Sequence, residues 1–404
     1  MQSNEAQNKA INHIDGPMLV LAGPGSGKTT VITRRGEKLI RHGINPMNIL
    51  VITFTKAAAN EMKERFYRLT ADGTEPYRNV TFGTFHAVFF TILKHAYNLS
   101  ADNIIREEER YAIVKAAIGQ YELDIEDERE FTANVLGEIA RVKSDRIPIQ
   151  NYYSTNCPAD IFRKIYDEYN TRLKNTRKLD FEDMLGYTYE LLTQRSDILS
   201  AWQGKYKYIL IDEFQDINKV QYDTIRLLAA PENNLFIVGD DDQSIYGFRG
   251  SKPDIMLNFG KDYGNAAQVT LDVNYRSTPE IVKAAGDVIR FNNKRYKKNI
   301  TPDRESGGAV VVRRTKDFID EYNEVCERIK AVTDGDRKRY GDIAVLYRTS
   351  AGIGSLVRKL MENGIPFQIR DKLPDMFEHW IAKDIFAYIR LACGTANRAD
   401  FISV

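Results

Sequence analysis

The octet Ala22-Gly23-Pro24-Gly25-Ser26-Gly27-Lys28-Thr29 holds the residues whose chemistry is easiest to name. Its glycines let successive backbone N–H groups curl around a phosphate with no Cβ in the way. Lys28 can reach the β- and γ-phosphates of a nucleoside triphosphate, and the Thr29 hydroxyl can enter an octahedral Mg²⁺ shell. Further along, an apolar run ends in Asp212-Glu213-Phe214-Gln215-Asp216. Adjacent carboxylates at the end of a buried strand are costly unless something holds them. A phosphate loop needs such groups: one Asp on the Mg²⁺ shell and a second carboxylate to orient and deprotonate water. After Gly239-Asp240-Asp241-Asp242, Gln243 is placed to sense a γ-phosphate. Tyr246, Phe248 and Arg249 offer planar faces for stacking on bases. Gln7 carries a primary amide that matches adenine N7 and N6. Taken alone, however, Gln7 reads more simply as an exposed helix residue, and His86 as structural.

These side chains need elements to position them. Met18 to Ala22 predicts a buried strand, and the apolar residues Ile32, Leu39 and Ile40 predict a helix from Thr29. That helix adds its positive end to the anion site. Ile49–Phe54, Val80–Phe85, Tyr206–Ile211 and Leu235–Val238 predict further strands. Each ends in polar or aromatic residues, at the carboxyl edge where open α/β sheets bind ligands. From 91 to 183 the strand signal stops, and Leu93–Gln120, Phe131–Lys143 and Ala159–Leu173 read as helices of an insertion. At the end of the insertion, Phe181 stands among charged residues. Beyond 276 a second α/β unit is expected, with strands at Ala309–Arg313, Ile343–Leu346 and Phe367–Arg370. Its helix near 353–361 carries Ile353, Leu356, Val357, Leu360 and Met361 on one face. The basic, aromatic stretch 290–299 is expected either to meet phosphates or to form solvated surface.

With 404 residues the chain exceeds one hydrophobic core. It is 43% hydrophobic and 28% charged with a net charge of +1, so nucleic-acid binding must come from local charge rather than bulk basicity. Cys157, Cys326 and Cys393 lie far apart with no C-x-x-C pair. That points to a reducing compartment and away from zinc or iron–sulfur chemistry. No apolar run approaches the length of a membrane span, so a cytoplasmic protein is expected. A signalling GTPase is disfavoured because no N-K-x-D guanine motif is present.

Read together, Asn4–Gln7, the phosphate loop, Thr53-Phe54-Thr55-Lys56, Thr84-Phe85-His86, Asp212–Asp216, Gly239–Ser251 and Asn274-Tyr275-Arg276-Ser277 resemble the ordered motifs of the superfamily 1 DNA helicases of the UvrD/PcrA/Rep type. The resemblance implies a P-loop, RecA-like α/β domain (1A, residues 1–90 and 184–275) interrupted by a helical insertion (1B, 91–183). A partial second RecA-like domain (2A, 276–404) follows. It implies ATP with Mg²⁺, 3′-to-5′ movement on single-stranded DNA and at single/double-strand junctions, and a place in DNA repair or replication near the bacterial nucleoid. By position, Gln7 and Tyr275 would hold adenine, with Thr30 where relatives often carry arginine. Lys28, Thr29 and Asp212 would hold phosphates and Mg²⁺, and Glu213 would be the base. Gln243 and Arg276 would touch the γ-phosphate. Phe54, Thr84, His86, Phe181, Tyr246, Phe248 (often tryptophan), Arg249 and Arg348 would lie along DNA. Against that pattern the chain is expected to be an amino-terminal portion lacking the 2B insertion and the last two motifs. It would be monomeric or completed by a missing part, and unable to unwind DNA alone. A nucleotide-gated DNA-binding module is the alternative.

Overall fold

Runs that are apolar at every position form strands where both faces of a sheet are covered, and the first half of this chain is built on such runs. The computed structural model describes residues 3–70, 79–123, 125, 127–247, 250–334, 337–349, 352–370 and 380–403. Strands β1 (Met18–Ala22), β2 (Ile49–Thr53), β3 (Thr81–Thr84), β4 (Tyr208–Ile211), β5 (Leu235–Gly239) and β6 (Ala267–Leu271) pair in parallel in the order β3-β2-β4-β5-β1-β6. Alternate residues face opposite layers. Leu19, Leu21, Leu50, Ile52, Ile209, Ile211, Leu235 and Ile237 enter one core. Met18, Val20, Ile49, Val51, Leu210, Phe236 and Val238 enter the other. The fold class is mixed α/β around one parallel sheet, as the sequence implies.

The second core is closed by α1 (Glu5–Asn12), α2 (Lys28–Arg41) and α3 (Lys56–Leu69). The first is closed by α4 (Phe85–Tyr97) together with helices from beyond the insertion. The insertion itself is α5 (Glu107–Ile118), α6 (Glu128–Ser144) and α7 (Ala159–Asn175), with a separate core around Val114, Val135, Ile139, Phe162, Ile165 and Tyr169. The single helix expected from Leu93 to Gln120 is instead two. Asn98 ends α4 in the left-handed region at φ 51°, and Ser100 caps a new short turn. The entry and exit of the insertion are zipped together: Leu179 N–H donates to Asn103 O at 2.7 Å and Ile105 N–H to Leu179 O at 3.0 Å.

Returning to the sheet are α8 (Phe181–Gln194), α9 (Ser196–Lys205), α10 (Lys219–Ala229) and α11 (Pro253–Asp262), and α12 (Pro279–Ile289) follows. A small parallel pair joins β7 (Val273–Asn274) to β8 (Thr301–Pro302). The compact units divide between Val310 and Val311, so residues 276–310 belong with the first unit.

In the second unit, α13 (Phe318–Thr333) and α14 (Ile353–Glu362) share a small core of Cys326, Ile329, Leu356, Leu360 and Ile365, with α15 (Trp380–Ala392) and α16 (Arg398–Ser403) beyond. The expected apolar face of α14 holds for Ile353, Leu356 and Leu360, while Met361 is exposed. The strands expected at 309–313, 343–346 and 367–370 are not formed. An extended segment becomes a strand only when a neighbour meets its backbone groups; these segments make no ladder bonds, and Val312 and Leu346 are exposed. No helix among the described residues is long and apolar enough to cross a membrane.

Candidate functional site

The phosphate loop lies between the buried end of β1 and the first turn of α2. Gly25 and Gly27 take φ of 68° and 87°, a region that costs any residue with a Cβ. A Cβ on Gly25 would also stand 2.7 Å from Asn274 Oδ1. Gly27 places no side-chain cap on α2, so the first-turn N–H groups face the loop. Inside the loop the buried Ser26 hydroxyl donates to Gly23 O at 2.7 Å. Ala22 is buried and Pro24 exposed at its two sides, and Thr29 and Thr30 follow Lys28 on α2.

Gln7 is not the exposed helix residue that its type suggests; it is 7% exposed. Its amide donates to Ser26 O at 2.9 Å and accepts from Asn4 N–H at 3.2 Å. The second bond is half of a capping box with Asn4 that starts α1. Tyr275 joins this group from far along the chain: its N–H donates to Gly25 O at 3.1 Å, and its hydroxyl accepts from Asn4 Nδ2 at 3.0 Å. Asn274 Oδ1 in turn accepts from the backbone of Arg276 and Ser277, both at 2.8 Å, and Arg276 is exposed beside them.

At the carboxyl end of β4 the backbone turns sharply, with Glu213 at φ 49°. This turn aims Glu213 back at the phosphate loop, where Oε2 accepts from Lys28 Nζ at 2.8 Å and from Gln215 Nε2 at 3.0 Å. Burial, then the neighbouring Glu213 charge, pushes the Asp212 carboxyl up to about 6, and the same two causes raise Asp216 to about 6. Asp216 Oδ1 is buried with no hydrogen-bond partner. The site is therefore short of positive charge, and a divalent cation on Asp212 fits it. Gln215 Oε1 also accepts the Asp240 N–H at 3.0 Å, and Gln243 Nε2 donates to Asp240 Oδ2 at 2.7 Å. Lys28, Glu213, Gln215, Asp240 and Gln243 are thus one connected set.

Sequence reasoning missed what balances the three aspartates. Within the basic stretch 290–299, Arg295 and Lys298 turn inward to pair with Asp240, Asp241 and Asp242, while Arg290, Lys294 and Lys297 remain exposed. The signal was available: three adjacent carboxylates after a buried strand require cations from elsewhere.

A second face lies beyond the carboxyl ends of β2 and β3. Phe54 and Tyr246 stack with ring centroids 5.5 Å apart, and His86 meets the half-exposed Phe181 edge-on at 5.3 Å. Phe54, His86 and Phe181 line a cleft of about 750 Å³ together with Arg110, Arg141 and Ser144. Burial holds His86 below the usual imidazole range. Thr84 caps α4, accepting from Ala87 N–H at 3.2 Å. Phe248 and Arg249 lie outside the described residues. Arg348, in the second unit, is exposed.

The charges around Phe181 are a buried network. Asp180 caps α8 and shares Lys143 with Asp183, at 2.7 and 2.8 Å. The Tyr169 hydroxyl donates to Asp180 at 3.0 Å and accepts from Arg110 Nε at 3.1 Å. Burial and the Asp180 charge push Asp183 up to about 7. Burial also raises Asp180, but Lys143 outweighs it and holds Asp180 below the usual carboxylate range. Lys143→Met strands both carboxylates and is expected to cost about 3–5 kcal/mol, read as a lower urea midpoint; an unchanged midpoint would remove Lys143 from this role.

Residues 3–264 match the UvrD/REP helicase N-terminal domain, and residues 269–404 match the UvrD-like helicase C-terminal domain. The Bacillus subtilis protein YjcD is 38% identical over 396 residues, covering 96% of this chain and 51% of that protein. The ATP-dependent DNA helicase PcrA of Leuconostoc citreum is 34% identical across 98% of this chain and 53% of its own length. DNA helicase II of Rickettsia typhi is 36% identical, with 96% and 60% covered. The chain spans about half the length of the curated relatives it matches. From its motifs, its parallel sheet and these matches, the chain belongs to the UvrD/REP helicase family.

Proposed function

We propose that this chain works as an ATP-dependent translocase on single-stranded DNA, moving 3′ to 5′ and acting at single/double-strand junctions. The observation that carries the reading is the Lys28–Glu213 contact of 2.8 Å at the mouth of the phosphate loop, joined through Gln215 and Asp240 to Gln243. Residues 22–30 cradle the phosphates, and Gln7 and Tyr275 border the adenine. When phosphates enter, Lys28 turns from Glu213 to the phosphate oxygens. Glu213 is then free to accept a proton from the attacking water. Gln243 and Arg276 face the γ-phosphoryl group as its charge shifts. Mg²⁺, held through Thr29 and Asp212, would supply charge neutralisation to the phosphates. The domains 1A, 1B and 2A are assigned as their motifs suggest, in a monomeric cytoplasmic protein.

Phe54, Thr84, His86, Phe181, Tyr246, Phe248 and Arg249 form the proposed DNA path of the first unit, and Arg348 is the proposed DNA contact of the second. The test is ATP turnover with and without oligo-dT: DNA-stimulated turnover is expected, and nucleotide binding without turnover would favour the gated binding module instead. Within that path, Tyr246→Ala should cost about 1–3 kcal/mol of single-strand affinity without sequence preference, since every base has a π-face. Anisotropy with oligo-dT and a mixed-sequence strand measures it, and unchanged binding to both would remove Tyr246 from the path.

A further inference from the structure

Asp240 is fully buried and Asp241 is 6% exposed, so the loop after β5 places adjacent carboxylates where water cannot screen them. Their counter-charges come from a segment 58 residues away. The Lys298 side chain is 1% exposed, and its ammonium contacts Asp240 Oδ1 at 2.5 Å, Asp241 Oδ1 at 2.5 Å and Asp242 Oδ2 at 3.0 Å. The ammonium hydrogen-bonds to Asp240 and Asp241 and lies within ion-pair distance of Asp242. Arg295 grips Asp242 with both Nε and Nη2, at 2.6 and 2.5 Å, and Tyr296 N–H donates to Asp241 at 2.7 Å. Burial alone would lower the Lys298 pKa, yet the surrounding carboxylates hold it above the usual lysine range.

The consequence lies in what Asp240 does with its remaining atoms. Lys298 takes Oδ1, and Oδ2 accepts from Gln243 Nε2 at 2.7 Å. The Asp240 N–H goes to Gln215, which holds Glu213. The Lys298 segment is itself tied down just beyond: Thr301 N–H donates to Asp272 O at 2.7 Å and Asp303 N–H to Asn274 O at 2.9 Å. One lysine therefore stands behind Gln243 while its own backbone is fastened to the strand that leads into Tyr275 and Arg276.

We propose that Lys298 is a positioning residue for nucleotide discrimination: by anchoring Asp240 it sets where the Gln243 amide stands, and so lets the site tell a triphosphate from a diphosphate. This rests on reading the phosphate loop as an ATP site. Lys298 touches no substrate in this role. It acts through Asp240.

The test is equilibrium binding of fluorescent ADP and of a fluorescent non-hydrolysable ATP analogue, with Mg²⁺, to the full chain and its variants. Lys298→Met is expected to keep ADP affinity within about twofold and to weaken the triphosphate analogue about tenfold, the scale of one charge-assisted contact. Lys298→Arg keeps the charge and should regain part of the preference. If Lys298→Met does not fold, Asp240→Asn/Lys298→Met removes the buried charge imbalance and supplies the folded background. That double variant should show the same lost preference, because the anchor is still missing. A parent-like ratio of the two affinities in either folded variant overturns the proposal, as does a parent that binds both nucleotides equally. A parent that binds neither nucleotide refutes the ATP-site reading itself, a different result from a parent that discriminates beside a Lys298→Met variant that does so equally well.

Discussion

Glu213→Gln is expected to slow ATP turnover by about 10²- to 10⁴-fold, the usual contribution of a positioned base, while leaving ATP affinity within a few-fold of the parent. The replacement keeps the shape of the side chain and an oxygen that can accept from Lys28 or Gln215. What it loses is the capacity to take a proton from water. Binding survives for a second reason. The Glu213 charge is one cause of the raised Asp212 and Asp216 carboxyls, so its removal makes both easier to ionise. On the proposed reading, an Asp212 that ionises more readily would hold a divalent cation, and with it the nucleotide, at least as well as in the parent. Single-turnover hydrolysis beside a nucleotide titration separates the two effects. Turnover at the parental rate would show that Glu213 is not the base.

Lys28→Ala should give the opposite split. Its side chain is only 13% exposed, and its ammonium has Glu213 as its partner, 2.8 Å away. Contacts of this kind to a phosphate are worth about 1.5–3 kcal/mol, so triphosphate affinity should fall by roughly 10- to 100-fold. The loss extends past the single contact. Lys28 is the positive charge that opposes the rise of Asp212 and Asp216. Without it, three neighbouring carboxylates face one another, the two raised ones go higher, and metal binding weakens alongside phosphate binding. Isothermal titration with ATP and Mg²⁺ measures the combined effect. Affinity equal to the parent would mean that Lys28 serves only to neutralise Glu213.

The sheet was legible because parallel strands announce themselves as unbroken apolar runs. The motif residues fall at the carboxyl ends of those runs, so the edge where they gather was legible too. What stayed hidden depends on partners distant in sequence. Nothing near Gln7 says that its amide will be spent on Ser26 O, and nothing near residue 298 points to Asp240. The Asp180 network was hidden for the same reason, since Lys143 and Tyr169 sit on other helices. The second unit shows the converse. Its apolar runs at 309–313 and 343–346 have strand composition, yet composition supplies no neighbour to bond with, and the segments form no ladder.

The zip between Asn103, Ile105 and Leu179 bears on how freely the insertion between them can vary. Because the chain leaves and re-enters at one point, the host sheet experiences the helical insertion only as a closed loop. Loop-closure entropy grows slowly, by about 0.6 kcal/mol for each doubling of length. The insertion can therefore lengthen, shrink or change its outer helices over evolutionary time at little cost to β1 through β6. One seam resists such drift. Lys143 and Tyr169 reach out of the insertion to hold the cap of α8, directly beneath Phe181. Selection on this slot should be strict at that seam and more permissive on the outer helices.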